Sequence, residues 1–455
     1  MAAALTLAVA AVAVALAYQA AARDRDYREF LARGDLAVRN EQTFAAIEAY
    51  SGAIALRPES MLPHLRRGEA YQRRGELEEA ARDFRTGAAL DPAATRPLEA
   101  LGDVLYEMKR FDRAAETYAR SLRVDDRSAG VSYKLALARY RSGDIEAALT
   151  ALASTMRLDD RLPDAAYLLG LCLRDKRRPA EALAAFEKAI ALAPGHIPAR
   201  EELADLYGSR GRHAKAIEQL QAIAALDRDH VERVVAVGMA QARAGREEVA
   251  VLTLGNALDR TPGQPLLYSA LGQVWLDRAQ ADEDRVYLSK ALEALGQVAS
   301  SPDATSEILT LYARALILDE QFDAAEHALQ LATTRYPLEP DSLVLYATVA
   351  EKRGHLDGAR QALIDYAGLV ADHPDAKQHA TRIAGLSITL NDPQTAVAWL
   401  ERALRMTPDD LRLVALLADA QLRMGDRVTA QATIAHGLKR DPSDKALLGL
   451  GRRAR

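Results

Sequence analysis

A spacing of 34 residues recurs along most of the chain and constrains its fold more than any other feature. Gly34, Gly68 and Gly102 stand one step apart, as do Ala46, Ala80, Ala114, Ala148, Ala182, Ala216 and Ala250. Units numbered from 1 to 34 start at Tyr27, Met61, Thr95, Ala129, Pro163, Ile197, Val231, Pro265, Ser306, Pro340, Lys377 and Leu411, twelve in all. Position 8 is always Gly or Ala, and position 20 is Ala in every unit, ending with Ala291, Ala325, Ala359, Ala396 and Ala430. Position 24 is bulky (Tyr50, Phe84, Tyr118, Phe186, Leu220, Leu400). Position 32 is Pro in seven units: Pro58, Pro92, Pro194, Pro262, Pro337, Pro408 and Pro442.

The logic of the pattern is steric. Small residues at positions 8 and 20 let two helices approach closely, and the large residue at 24 fills the space beside them. Gly near position 15 (Gly75, Gly143, Gly211, Gly245, Gly354, Gly425) separates the first helix from the second. Pro near the end of a unit stops the second helix. Each unit is then a helix–turn–helix that buries its apolar face only against its neighbours. Abundant Ala and an aromatic content of only 5% agree with closely packed helices.

These residues resemble the tetratricopeptide repeat (TPR) family, whose pattern runs W-x2-L-G-x2-Y, then A-x3-F, then P. The match reads Leu98, Leu101-Gly102 and Leu105 with Ala114 and Tyr118, and again Leu169-Gly170 and Leu173 with Ala182, Phe186 and Pro194. Tyr71 and Tyr207 fill the Tyr slot; the early Trp is missing throughout, replaced by Phe30, Leu98, Tyr268 and others. The resemblance covers residues 27–442 and implies an all-α, right-handed superhelical solenoid of about twelve helix–turn–helix repeats. Two units break register. The eighth has about seven extra residues around Arg278–Asp284, and the tenth about three near Asp372-His373-Pro374; both are expected to form loops. Residues 443–455 are expected to form a capping helix, capped by Ser443, and a basic tail.

Ahead of the repeats, residues 1–22 form an apolar run without a charged side chain, followed by a charged linker at 23–26. A helix of ~20 apolar residues spans a hydrocarbon core. An uncleaved anchor is one reading, and the arginines at 23, 25, 28 and 33 would then keep the repeats cytoplasmic. A cleaved signal peptide is the other, with small-residue sites at Ala15-Leu16-Ala17 or Ala20-Ala21-Ala22; it would make the chain an exported helper of envelope assembly or secretion.

The sequence points away from catalysis. It has no GxxxxGK[ST], GxSxG, HExxH or GxGxxG motif, and no cofactor or metal site is assigned. Asp372, His373, Asp375 and His379 read as a solvated loop, and Cys172, the sole cysteine, reads as core filler. A net charge of −5 gives no bulk attraction for nucleic acid. Binding of protein partners is the expectation, with self-association also open. By the TPR resemblance, positions 2, 5, 9, 12 and 13 face a concave groove. That places Tyr133 and Tyr167 at position 5 and Tyr106 and Tyr140 at position 12, with Lys134, Arg141 and Arg174 nearby. Tyrosine combines a large apolar face with a hydroxyl at low entropic cost, so these seven residues are the candidate partner site. Acidic residues recur at position 9. Asp35 and Glu69 are spaced to pair with Arg39 and Arg73 one helical turn on. Leu31 and Leu65 at position 5 lack the lysine of the family's chaperone-tail clamp, so that ligand is not expected.

Overall fold

A computed structural model describes residues 2–370 and 375–455, with side chains from residue 14 onward. Among these residues every regular element is an α-helix, and there are 25. The chain divides into two compact units, Met1–Ile223 and Ala224–Arg455.

In the first unit, α1 (Ala2–Arg39) packs on α2 (Thr43–Leu56), α3 (Met61–Arg73) on α4 (Leu77–Leu90), and α5 (Thr95–Glu107) on α6 (Phe111–Val124). Then α7 (Ala129–Arg141) packs on α8 (Ile145–Leu158) and α9 (Pro163–Asp175) on α10 (Pro179–Leu192), followed by α11 (Ile197–Gly208) and α12 (His213–Leu226). The second unit pairs α13 (Val231–Arg243) with α14 (Glu247–Arg260), α15 (Pro265–Asp282) with α16 (Arg285–Ala299), and α17 (Ser306–Leu318) with α18 (Phe322–Ala332). It continues with α19 (Pro340–Arg353) on α20 (Leu356–Leu369), α21 (Ala376–Thr389) on α22 (Pro393–Met406), and α23 (Leu411–Arg423) on α24 (Arg427–Arg440). A final helix, α25 (Lys445–Arg453), closes on α23 and α24.

One turn joins the two helices of each pair. Its central residue is left-handed at Gly75, Gly143, Gly211, Gly245, Gly354 and Gly425, and equally at Glu41, Lys109, Arg177, Glu283, Glu320 and Asn391. In most turns the next amide bonds back five residues, as Arg110 N–H does to the Leu105 carbonyl and Arg178 N–H to that of Leu173. That bond satisfies a carbonyl the helix end would otherwise orphan, so side chains other than glycine are held at positive φ.

Inside each hairpin the small residue at position 8 lies under the bulky residue at 24. A Cβ on Gly170 would stand 2.4 Å from Cε1 of Phe186; on Gly68 it would stand 2.6 Å from Phe84, and on Gly102 2.4 Å from Tyr118. Every aromatic ring at position 24 meets a glycine, whereas every alanine at position 8 faces an aliphatic residue. The position-20 alanines are buried in both units. A large ring is thus matched by the smallest residue in every hairpin that has one, while Gly238 and Gly272 face the leucines Leu254 and Leu295.

The extra residues of the eighth repeat do not form a loop. They lengthen α15 to 18 residues against 13 in α13, and the left-handed turn falls at Glu283. The added turn has contacts of its own: Ala279 is buried, and Arg278 lies over the Tyr287 ring at 4.6 Å and 3.3 Å from Asp282. Helix α25 is capped by Asp444, which accepts from Leu447 N–H, whereas Ser443 hydrogen-bonds to Asp441. Asp372, His373 and Pro374 of the tenth-repeat insertion lie outside the described residues.

Residues 23–26 belong to α1 rather than to a separate linker, and Asp24 there pairs with Arg28 and Arg57. Among the described residues no helix is long and apolar enough to cross a membrane. The side chains of residues 1–13, the larger part of the apolar run, lie outside that description. Val14, Leu16 and Tyr18 on the same helix are exposed.

Candidate functional site

The first helices of the third to fifth repeats bring the four candidate tyrosines to one concavity of the first unit. Tyr106 comes from α5, Tyr133 and Tyr140 from α7, and Tyr167 from α9; Leu137, Leu171 and the turn Gly195–Pro198 complete a volume of about 610 Å³. Repeat spacing explains the convergence. Tyr106 and Tyr140 occupy the same position in successive repeats, as do Tyr133 and Tyr167, so each pair lies on equivalent helix faces.

All four rings are half-buried. Tyr106 packs edge-on to Phe111, with centroids 5.1 Å apart. Tyr167 lies 5.7 Å from Phe186 and 4.9 Å from the His196 ring. Tyr140 donates its hydroxyl proton to Asp175 at 3.0 Å. Burial pushes the Tyr133 and Tyr140 hydroxyls up to about 12, with Asp164 adding to the first and Asp175 to the second. Both stay protonated at neutral pH and serve as neutral donors.

The charged candidates separate. Lys134 donates to Asp103 at 2.7 Å, and Arg174 grips both oxygens of Glu202 at 2.6 and 2.7 Å while also reaching Asp175. Neither lines the concavity; their charges tie neighbouring hairpins together. Arg141 does line it, is exposed, and has no acidic partner within 4.0 Å among the described residues. At the opposite rim His196 Nδ1 accepts from Ala199 N–H, which leaves Nε2–H to donate to Asp164 at 3.3 Å.

The acids at position 9 behave differently from their sequence spacing. Asp35 accepts from the Tyr50 hydroxyl at 2.8 Å and lies 3.9 Å from Arg66, and Glu69 accepts from Arg66 and Arg96. In place of Asp35–Arg39 and Glu69–Arg73, Asp35 is held by Tyr50 of its own hairpin and faces Arg66 of the next, while Glu69 binds Arg66 on its own helix and Arg96 of the next hairpin. Only Asp419 keeps its helical partner, Arg423, at 2.8 Å, and it also binds Arg453.

Leu137 and Leu171 were not among the sequence candidates. Both sit at position 9, where other repeats carry acids, so an apolar residue there was the available signal. Nothing local in sequence signals the Gly195–Pro198 turn, which joins the fifth repeat to the sixth. Among the described residues no group of three or more His, Cys, Asp or Glu is placed to hold a metal ion. Of the residues near the tenth repeat, Asp372 and His373 are outside the described set, and His379 packs edge-on to Tyr366 at 5.0 Å. Cys172 is fully buried on α9, and burial together with Asp175 pushes its thiol up to about 11.

Sequence models of the tetratricopeptide repeat match residues 31–95, 65–131, 99–160, 133–197 and 310–369, and a second such model matches 173–243 and 388–453. No curated protein shows significant similarity to the chain. Among solved structures it is similar to MamA, with 25% identity over 36% of this chain and 95% of that one and a TM-score of 0.34. It is also similar to YrrB, described as a TPR protein with an unusual peptide-binding site, at 23% identity over 42% of this chain and 97% of that one, TM-score 0.36. PilF of Pseudomonas aeruginosa shares 21% identity over 50% of this chain and 99% of its own, TM-score 0.38.

Proposed function

The chain belongs to the tetratricopeptide repeat family, and from that premise we propose that it is a membrane-attached protein-interaction scaffold whose partner lies in the tyrosine-lined concavity of α5, α7 and α9. Repeats of this family generally serve as non-catalytic scaffolds. The observation that carries the site is the convergence of four half-buried tyrosines from three successive first helices on one volume of about 610 Å³. Rigid aromatic side chains of this kind dominate interface energetics, because they bury area at little entropic cost.

Attachment is assigned to the N-terminal part of α1. Its support is the uncharged run at residues 1–22 and the exposure of Val14, Leu16 and Tyr18. The arginines that follow the run favour a cytoplasmic position for the repeats.

The test is affinity capture from solubilised membranes with wild type and a Tyr133→Ala/Tyr167→Ala variant. The expected result is a partner held near one-to-one by the wild type and lost from the variant, with the helical circular dichroism of the two proteins alike. Equal retention by both proteins contradicts the site. Removing residues 1–22 should release the protein from carbonate-washed membranes and leave partner binding intact; a shortened chain that still pellets contradicts the attachment.

A further inference from the structure

We infer that this concavity takes a proline-rich partner segment in the polyproline II conformation, with an acidic residue beside Arg141. The inference rests on the reading that the concavity is the binding site and names the chemistry of its occupant.

The lining offers more donors, the tyrosine hydroxyls and the Arg141 guanidinium, than charged acceptors, of which it has one. Tyr106, Tyr133 and Tyr167 carry hydroxyls with no hydrogen-bond partner among the described residues. Three other tyrosines of the same unit donate theirs within the chain: Tyr50 to Asp35, Tyr118 to Asp103 and Tyr207 to Glu187. The one carboxylate lining the concavity, Asp164, already accepts from His196. An occupant that suits this lining brings carbonyl oxygens and few N–H groups. A helix satisfies its carbonyls internally, and an ordinary extended strand brings as many donors as acceptors. A run of prolines in polyproline II brings bare carbonyls and no N–H.

Spacing agrees with this. Polyproline II advances ~9.3 Å per three-residue turn, and packed helix axes lie ~8–10 Å apart. A segment crossing from α7 to α9, which are in contact, therefore meets an equivalent helix position once per turn. Equivalent positions carry Tyr133 and Tyr167, and one turn to the other side Tyr106 and Tyr140. Proline rings pack on such aromatic faces. Charge supplies the remaining feature. Lys134 and Arg174 are committed to Asp103 and Glu202, which leaves Arg141 as the open cation of this lining among the described residues. A carboxylate on the partner completes it.

Fluorescence anisotropy on the full chain tests the assignment with three probes: decaproline, decaproline ending in two glutamates, and an alanine-rich helical peptide with the same two glutamates. Both proline probes should bind, the acidic one about fivefold more tightly, and the helical one should not. Tyr106→Phe/Tyr133→Phe/Tyr167→Phe, which keeps the rings and removes the donors, should weaken both proline probes about tenfold or more. Arg141→Glu should abolish the advantage of the acidic probe alone. A random peptide library panned on the same chain, counter-selected with Tyr133→Ala/Tyr167→Ala, separates the two levels of the argument. Tyrosine-dependent ligands without proline, together with oligoprolines that fail at about 1 mM, overturn the occupant and keep the site. Absence of any tyrosine-dependent ligand from either arm overturns both.

Discussion

Gly170→Ala should loosen the fifth repeat by about 2 kcal/mol, although alanine is the better helix former by ~1 kcal/mol. The new Cβ would lie 2.4, 2.5 and 2.7 Å from three atoms of the Phe186 ring, which is fully buried and has nowhere to withdraw. Overpacking of this kind costs ~1–3 kcal/mol or more and outweighs the gain in propensity. Cys172, two residues along α9, reads the outcome directly. Its thiol is buried and held protonated, so a thiol reagent reaches it only when the repeat opens. Labelling should become ~30-fold faster in Gly170→Ala, the equivalent of that energy. Adding Phe186→Leu recreates the alanine–leucine pairing found at Ala136 and Leu152 and should recover most of the loss. Gly208→Ala, where a Cβ would meet nothing within 4 Å, should change labelling less than about twofold. Equal labelling of Gly170→Ala and wild type contradicts the packing account.

Arg67→Ala should cost about 3 kcal/mol around α3 and α4, because it strands a buried carboxylate. Asp83 is only 4% exposed. Arg67 donates to its two oxygens at 2.7 and 2.8 Å and also reaches Ser51 of α2 at 2.9 Å, whereas the remaining partner, His64 Nδ1, stands 3.4 Å away. Burial alone pushes the Asp83 carboxyl up, but the hydrogen bonds from Arg67 and His64 outweigh it and hold the group below the usual carboxylate range. The wild-type contribution is therefore present above the unfolded value of ~3.9 and is lost as pH falls through the lower folded value. Without Arg67 the burial of the carboxyl dominates and the sign reverses. The variant then carries its penalty at neutral pH and sheds it as pH falls through the raised folded value. Hydrogen-exchange protection of α3 and α4 amides should drop on the order of a hundredfold at pH 7. The gap from wild type should narrow at pH 4. A gap that is small at pH 7, or that widens in acid, contradicts a stabilising Arg67–Asp83 pair.

The helix-pair array is legible in the sequence because its determinants are volumes. Ala46, Ala114 and Ala182 are buried to 0% for the reason their spacing suggests: helices approach closely only there. Half of the turns hide from the sequence. Lys109 and Arg177 adopt the same left-handed conformation as Gly75 and Gly143, held by hydrogen bonds of the helix end rather than by residue type. The lengthening of α15 was equally hidden, since RAQADED reads as polar surface until Arg278 finds Tyr287 on the next helix. Charge pairing is the poorest guide. A helix-neighbour rule assigns Asp35 to Arg39, yet the Tyr50 hydroxyl and Arg66 of other helices compete for it in three dimensions. Around the concavity, repeat phase places the four tyrosines, while Lys134 and Arg174 prove to be bridges between hairpins. The lining from the sixth repeat depends on how that repeat stacks.

The most direct measurement places a photo-crosslinking side chain at Leu137, inside the concavity, and at Thr150, exposed on α8, in otherwise unchanged full-length protein. Irradiation in cells should yield one discrete partner adduct from position 137 and none from 150. An adduct from 150 without one from 137 would place the interface outside the concavity and contradict the assignment of this protein's binding site to its tyrosines.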